Sequence, residues 1–199
     1  MNKNYIDSGR KNQKHKTRSK ILLVAQRLLA KGIGLTLEDI AKEADLSRAT
    51  IYRYYSNVDV LAAEAVIDIH TKSPEDVFNE VKDLNLKEVL MAIQAYFNDL
   101  AFTNEAAFRK YLSIAIVSDQ ATNKRGARRI KTMELALANK KTPIDNSEIE
   151  KLKNIATVLM GIEALIVSKD VCGLNEQQSK ETLKWGLEML LKGVLNNQN

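Results

Sequence analysis

Cysteine is nearly absent from this chain of 199 residues: Cys172 stands alone, which excludes an internal disulfide and suits a reducing cytoplasm. Lying beside Val171 in an apolar stretch, it reads as inert core rather than as a reactive thiol. Histidine is scarce too. His15 sits in a basic stretch without an acidic or Cys neighbour, and His70 reads as a packed or solvated imidazole. No Cys/His cluster has metal-ligand spacing, so neither a metal nor another cofactor is expected. Neither a phosphate-loop glycine pattern nor a Gly-x-Ser-x-Gly elbow occurs, and an enzyme is not expected. Two Pro and eight Gly leave few helix breakers, which favours long helices and short connections. No uncharged apolar run of about 18 residues is available to span a membrane. The basic, polar N-terminus lacks the apolar stretch of a secretory signal.

What the chain does have is charge and apolar periodicity. It is 45% hydrophobic and 28% charged, long enough to bury a real core. Apolar residues recur at helical spacing, with no sustained period-two alternation, so the expected fold class is all-α. Net charge is +5, unevenly placed. Residues 1–20 hold seven Lys or Arg against one acid, residues 21–60 balance to zero, and residues 61–199 carry −1. A basic N-terminal arm therefore abuts a neutral segment, a distribution suited to phosphate contact.

That neutral segment contains the most informative stretch, Thr36 to Tyr55. Thr36 is a plausible N-cap, followed by Glu38 and Asp39 where the helix dipole favours negative charge. Leu37, Ile40, Ala41 and Ala44 form one apolar stripe. Asp45 tolerates a left-handed backbone, Leu46 plugs the turn, and Ser47 caps a second helix. Ile51 and Tyr55 are expected on the buried face of that helix, with Arg48, Thr50, Tyr52, Arg53 and Tyr54 elsewhere. So short a helix cannot stand alone, and its Arg and Tyr residues suit a recognition helix that enters a DNA major groove.

The segments Thr36-Leu37-Glu38-Asp39-Ile40-Ala41, Leu46-Ser47, Thr50-Ile51-Tyr52 and Tyr55, followed by Leu61, resemble the N-terminal domain of the tetracycline-repressor (TetR) family. With the preceding helix the resemblance spans roughly residues 16 to 70. The remainder is similar in size and helical character alone. Two positions depart from the pattern: Asp45 stands where the family often has a turn Gly, and Val58 where it often has a phosphate-contacting Lys. The resemblance implies a dimeric, ligand-responsive transcriptional repressor on a pseudo-palindromic double-stranded DNA operator, released by a small-molecule effector. Its half-sites would lie roughly 34–36 Å apart, or a multiple of that. Arg48, whose forked guanidinium can bond a guanine edge twice, is the expected base reader. Thr50, Tyr52 and Tyr54 are expected on phosphate or sugar, with Tyr54 a candidate for bases and Arg53 for either. Lys14, Lys16, Arg18 and Lys20 would add electrostatic affinity. Thr36 and Ser47 complete the expected DNA-contact set.

Residues 1–14 are expected to be disordered, and a first helix to run from about Lys16 to Lys31, burying Ile21, Val24, Ala25 and Leu28. Asn57 can cap a fourth helix that reaches about His70, and Pro74 marks the best domain boundary. The expected division is a three-helix headpiece at 1–56, a linking helix at 57–72, and a helical ligand-binding and dimerisation domain at 73–199. Beyond Pro74, helices are expected near 75–83, 86–102, 105–118, 125–139, 147–171 and 176–195. The basic cluster Lys124 to Lys131 reads as a solvated helix face.

Phe97, Phe102, Phe108 and Tyr111 could line an apolar effector pocket, with Arg109 or Glu163 as polar anchors. Within 147–171, Leu152, Ile155, Leu159, Ile162 and Ile166 form a bundle stripe, flanked by the small side chains Thr157, Gly161, Ala164 and Ser168. Thr182, Gly186, Met189 and Gly193 form a similar stripe on the last helix, and both stripes are assigned to a homodimer interface. Three other readings stay open: an activator or nucleoid-associated protein without a ligand, a helical protein-interaction module, and an enzyme with an appended headpiece.

Overall fold

The computed structural model describes residues 3–32, 34–117, 127–140 and 144–196, and every regular element among them is helical. The described chain forms two compact units. The first comprises Met1–His70 with Ala106–Asp119, the second Thr71–Glu105 with Gln120–Asn199. No helix among the described residues is long and apolar enough to cross a membrane.

In the first unit, α1 (Lys3–Ala30), α2 (Leu37–Glu43), α3 (Arg48–Tyr54) and α4 (Val58–His70) enclose a core of their own. Ile21, Val24 and Ala25 of α1 meet Leu37, Ile40 and Ala41 of α2, with Ala44, Ile51, Leu61 and Ala65 closing the cluster. Each fully buried Ile or Leu here contributes about 1.5–3 kcal/mol of hydrophobic stabilisation. Gly32, at φ +69°, ends α1 in the left-handed region that a side chain would disfavour. Asn57 Oδ1 accepts from Asp59 N at 2.7 Å and so starts α4. α1 begins at Lys3, which corrects the expectation of disorder for residues 3–14; residues 1 and 2 lie outside the described residues. That stretch lacks Pro and holds the good helix formers Lys3, Arg10, Lys11, Gln13 and Lys14, yet it has no apolar stripe for periodicity to detect.

The second unit contains α5 (Pro74–Val81), α6 (Leu86–Thr103), α8 (Ala127–Asn139), α9 (Asn146–Val158), α10 (Ile162–Ile166), a π-helical turn (Val167–Val171) and α11 (Glu176–Asn196). Pro74 takes the first helical position of α5, where its missing N–H costs nothing, and Ser73 caps the helix. Asn85 and Glu88 form a reciprocal capping box on α6. Val89, Leu90, Ile93 and Phe97 of α6 pack with Met133 and Leu137 of α8, Leu152 of α9, Met160, and Leu187 and Leu191 of α11. α7 (Glu105–Val117) lies almost entirely in the first unit, where Lys110 pairs with Asp59 at 2.9 Å; no sequence signal predicts that grouping.

The single helix expected over 147–171 is broken. Gly161 adopts φ +82°, outside the helical region, and separates α9 from α10. Polar side chains satisfy the backbone groups that the break exposes. Gln94 Nε2 donates to Leu159 O at 3.0 Å, Arg129 Nη1 donates to Met160 O, and Gly161 N donates to Asn98 Oδ1 at 2.8 Å. The stripe expected across this break does not stay on one face. Ile155, expected in the buried stripe, is exposed, while Leu152, Ala156 and Met160 fill the core. Cys172, expected in the interior, is exposed at the end of the π-helical turn.

Candidate nucleic-acid interface

Two short helices become a rigid pair through their caps and the turn between them. Thr36 Oγ1 accepts from Asp39 N at 3.1 Å and donates to Asp39 Oδ2 at 2.6 Å, closing the first turn of α2. Asp45 sits at φ +48°, in the left-handed region that Asp tolerates, and Leu46 N donates to Ala41 O at 2.9 Å across the turn. Ser47 Oγ accepts from Thr50 N at 3.1 Å and lies 2.8 Å from Thr50 Oγ1. Both caps remain at the surface, as does the start of α3.

From that surface project Arg48, Tyr52 and Arg53, with Thr50 half-buried beside its cap. The Arg48 side chain is 75% exposed, and its Nη2 lies 3.0 Å from Oε1 of Glu38 on α2. Tyr52, one helical turn further along α3, donates its hydroxyl to the same Glu38 oxygen at 2.8 Å. The Arg48 guanidinium lies 5.6 Å from the Tyr52 ring centroid. One carboxylate thus gathers two candidate DNA-contacting side chains. The Tyr52 hydrogen bond, a backbone hydrogen bond and the charge of Arg48 hold Glu38 below the usual carboxylate range.

Tyr54 corrects the sequence reading. It is 7% exposed, in the core with Ile51 and Tyr55, because positions three and four residues apart share a helix face. Arg53 covers the Tyr54 ring at 5.7 Å and stays exposed itself. The aromatic left for DNA on α3 is Tyr52.

Arg18 differs from the lysines grouped with it. Its Nε donates to Glu64 Oε1 at 3.0 Å, Nη2 bonds the same carboxylate, and the guanidinium lies 5.2 Å from the Tyr55 ring centroid. The Tyr55 hydroxyl donates to Glu64 Oε2 at 3.0 Å. Burial opposes the Arg18 charge, but Glu64 and Tyr55 outweigh it and raise its pKa. Burial, and then the Glu64 charge, push the Tyr55 phenol well above the ordinary tyrosine value. Arg18 therefore joins α1 to α4 and the end of α3, its charge spent inside the unit. Lys14, Lys16 and Lys20 are exposed along α1.

The expected effector residues do not come together within either unit. Phe97 and Glu163 belong to the second unit; Phe108, Arg109 and Tyr111 to the first. Phe97 is core, edge-on to Tyr96 at 5.0 Å, and the Phe102 ring lies 5.0 Å from Lys180 Nζ. Glu163 Oε1 accepts from Arg129 Nη2 at 3.1 Å, and its buried Oε2 lies 2.9 Å from Arg129 Nη1. Arg129, expected on a solvated face with the basic cluster, is instead largely buried, while Lys124, Arg125 and Gly126 lie outside the described residues.

The expected dimer stripes divide as well. Gly161, Ala164 and Ser168 are buried, Thr157 is half-buried with its hydroxyl on Lys153 O, and a Cβ on Gly161 would meet Arg129 Nη1 at 2.7 Å. This first stripe faces its own protomer. On α11, Thr182 and Gly193 are exposed, and Gly186 and Met189 half-buried. Large apolar side chains that sequence reasoning did not select, Val158, Val167, Val171 and Trp185, are exposed; Trp185 reaches 62%.

Glu38, at the candidate site, and Glu64, beneath Arg18 and Tyr55, are the residues that the sequence reading missed. Glu64 interrupts the apolar run of α4, a hint of a buried cationic partner. Nothing in spacing reveals that Glu38 meets Arg48 and Tyr52, since that depends on how α2 crosses α3. Among the described residues, no group of three or more His, Cys, Asp or Glu is placed to hold a metal ion. Residues 21–65 match the family model described as bacterial regulatory proteins, tetR family, and this span holds both short helices, their turn and the Glu38 cluster. No curated protein matches the chain.

Proposed function

We propose, from a helix-turn-helix segment that belongs to the tetR family of bacterial regulatory proteins, that this DNA-binding regulator is a cytoplasmic dimeric repressor. A small-molecule effector releases it from a pseudo-palindromic operator. The observation that carries the DNA-reading role is the exposure of Arg48 and Tyr52 together on α3. Arg48 reads a guanine edge, Thr50 meets phosphate or sugar, Tyr52 lays its ring against sugar while its hydroxyl stays on Glu38, and Lys14, Lys16 and Lys20 add sequence-independent attraction.

The dimer reading draws support from Trp185, Val167 and Val171, since exposed apolar side chains that are grouped, unlike single ones, suit an association surface. They sit on the π-helical turn and α11, which pack together. The interface therefore involves α11 with Thr182, Gly186, Met189 and Gly193, joined by these apolar residues in place of Gly161, Ala164 and Ser168. Effector release requires a ligand that favours the conformation with weaker operator affinity.

Selection of duplexes from a random pool by the full chain tests the first step. The expected result is one enriched sequence, bound more tightly than a scrambled duplex and with affinity that falls as salt rises. No salt-sensitive DNA affinity would instead favour a helical protein-interaction module. Effector release is tested by calorimetric titration of a candidate compound with and without the selected duplex. Linkage requires the compound to bind the free protein more tightly, by the factor with which it weakens DNA binding.

A further inference from the structure

Glu38, Arg48 and Tyr52 form a closed set on the surface of the first unit. Glu38 Oε1 lies 3.0 Å from Arg48 Nη2 and accepts from the Tyr52 hydroxyl at 2.8 Å, while the Arg48 guanidinium lies 5.6 Å from the Tyr52 ring centroid. Holding α2 against α3 does not require this set, because Ile40, Ala41, Ala44 and Ile51 are buried beneath it. Glu38 is 47% exposed, and an ion pair so accessible adds little to stability. A carboxylate on a face meant for a polyanion is also electrostatically unfavourable to binding itself. Its presence there calls for another purpose.

We propose that Glu38 is a specificity-determining residue of the DNA-reading face: it presets Arg48 and Tyr52 in one pose and penalises a phosphate at the same place. The inference rests on the DNA-reading role proposed for α3. Two physical effects act in the same direction. An unrestrained Arg is a flexible cation that can follow phosphates on any sequence, and phosphate contact supplies essentially all non-specific affinity. Held by Glu38 and the Tyr52 ring, Arg48 has fewer conformers available, so a phosphate contact must break an existing pair. A guanidinium has five donor hydrogens, enough to keep the carboxylate contact and still bond a guanine edge twice. The guanine contact thus keeps the preset pose, whereas the phosphate contact gives it up. In addition, the charge of Glu38 repels any phosphate that approaches Arg48 closely.

The test uses the full chain, the duplex enriched by the wild type from a random pool, and a scrambled duplex of equal length. Glu38→Gln keeps an acceptor for Tyr52 and removes the charge. It should bind the scrambled duplex several-fold more tightly and lower the ratio of selected to scrambled affinity by about three- to tenfold, with an unchanged unfolding midpoint. Tyr52→Phe keeps the ring beside Arg48 and loses the hydroxyl, so the ratio should fall in the same direction by a smaller factor. In an Arg48→Ala background, Glu38→Gln should leave the ratio unchanged, because the proposed effect passes through Arg48. Equal gains on both duplexes would make Glu38 a mere bulk charge and overturn the proposal. An unchanged ratio in Glu38→Gln and Tyr52→Phe would overturn it too, while leaving the DNA-reading role intact. If the wild type enriches no sequence at all, that role fails and the specificity proposal falls with it.

Discussion

Arg48 and Arg18 carry the same charge into different surroundings, and their substitutions separate recognition from stability. Arg48→Ala should weaken binding to the selected duplex by about 1–3 kcal/mol and to a scrambled one far less, as measured by fluorescence anisotropy. Arg18 is expected to act through the fold. Glu64→Ala strands a largely buried guanidinium and the Tyr55 hydroxyl together, and should lower stability in urea unfolding by about 2–4 kcal/mol. Tyr55 adds a pH signature. Its folded pKa lies above the ordinary value of 10.0, so folding favours the neutral phenol. That contribution is complete below pH 10.0 and is lost as pH rises from there through the folded value. Stability should therefore fall in strongly alkaline solution, by up to about 1.4 kcal/mol per pH unit from this group. Tyr55→Phe should reduce the slope, read from urea midpoints at successive pH values.

Two glycines of the second unit call for opposite outcomes. Gly161 has φ +82° and the Arg129 side chain against it, so Gly161→Ala introduces both backbone strain and a clash. It should cost at least about 1–3 kcal/mol in thermal or urea unfolding. Gly186 lies inside α11 at helical geometry, where an added Cβ would make an ordinary 3.9 Å contact with Leu159 Cδ1. Gly186→Ala should be neutral or stabilise the chain by up to about 1 kcal/mol, since Ala loses less backbone entropy in a helix. The contrast separates a glycine needed for a break from one whose own chain leaves room for a methyl group.

Assembly and long-range charge are collective properties, best tested by removing several groups or a large one. Trp185→Asp places a charge where an exposed indole now stands and should shift the chain toward monomer in sedimentation, with no loss of helical content. DNA affinity should fall with the dimer, because two half-sites contribute together. Replacing exposed Lys14, Lys16 and Lys20 by Ala should flatten the dependence of log affinity on log salt, by about 0.9 for each phosphate that is no longer neutralised. Selected and scrambled duplexes should lose affinity alike, the opposite of the pattern expected for Arg48→Ala.

Local chemistry made much of this protein legible before any coordinates. Thr36 and Ser47 as caps, Asp45 in a left-handed turn, Asn57 at the start of α4 and Pro74 at the start of α5 each follow from what one residue can do with its own backbone. The buried stripes of α1 and α2 follow from a period of 3.6 acting on a few turns. Long-range packing decided the rest. Gly161 permits a bend, but Gln94, Asn98 and Arg129 from other helices satisfy the groups that the bend frees, and periodicity along one segment cannot report them. Tyr54 and Arg18 turn inward because Ile51 and Glu64 offer a buried face and a partner. Glu38 reaches Arg48 and Tyr52 because α2 crosses α3 at that point. A helix's period assigns each side chain a direction; what waits in that direction depends on how the elements pack.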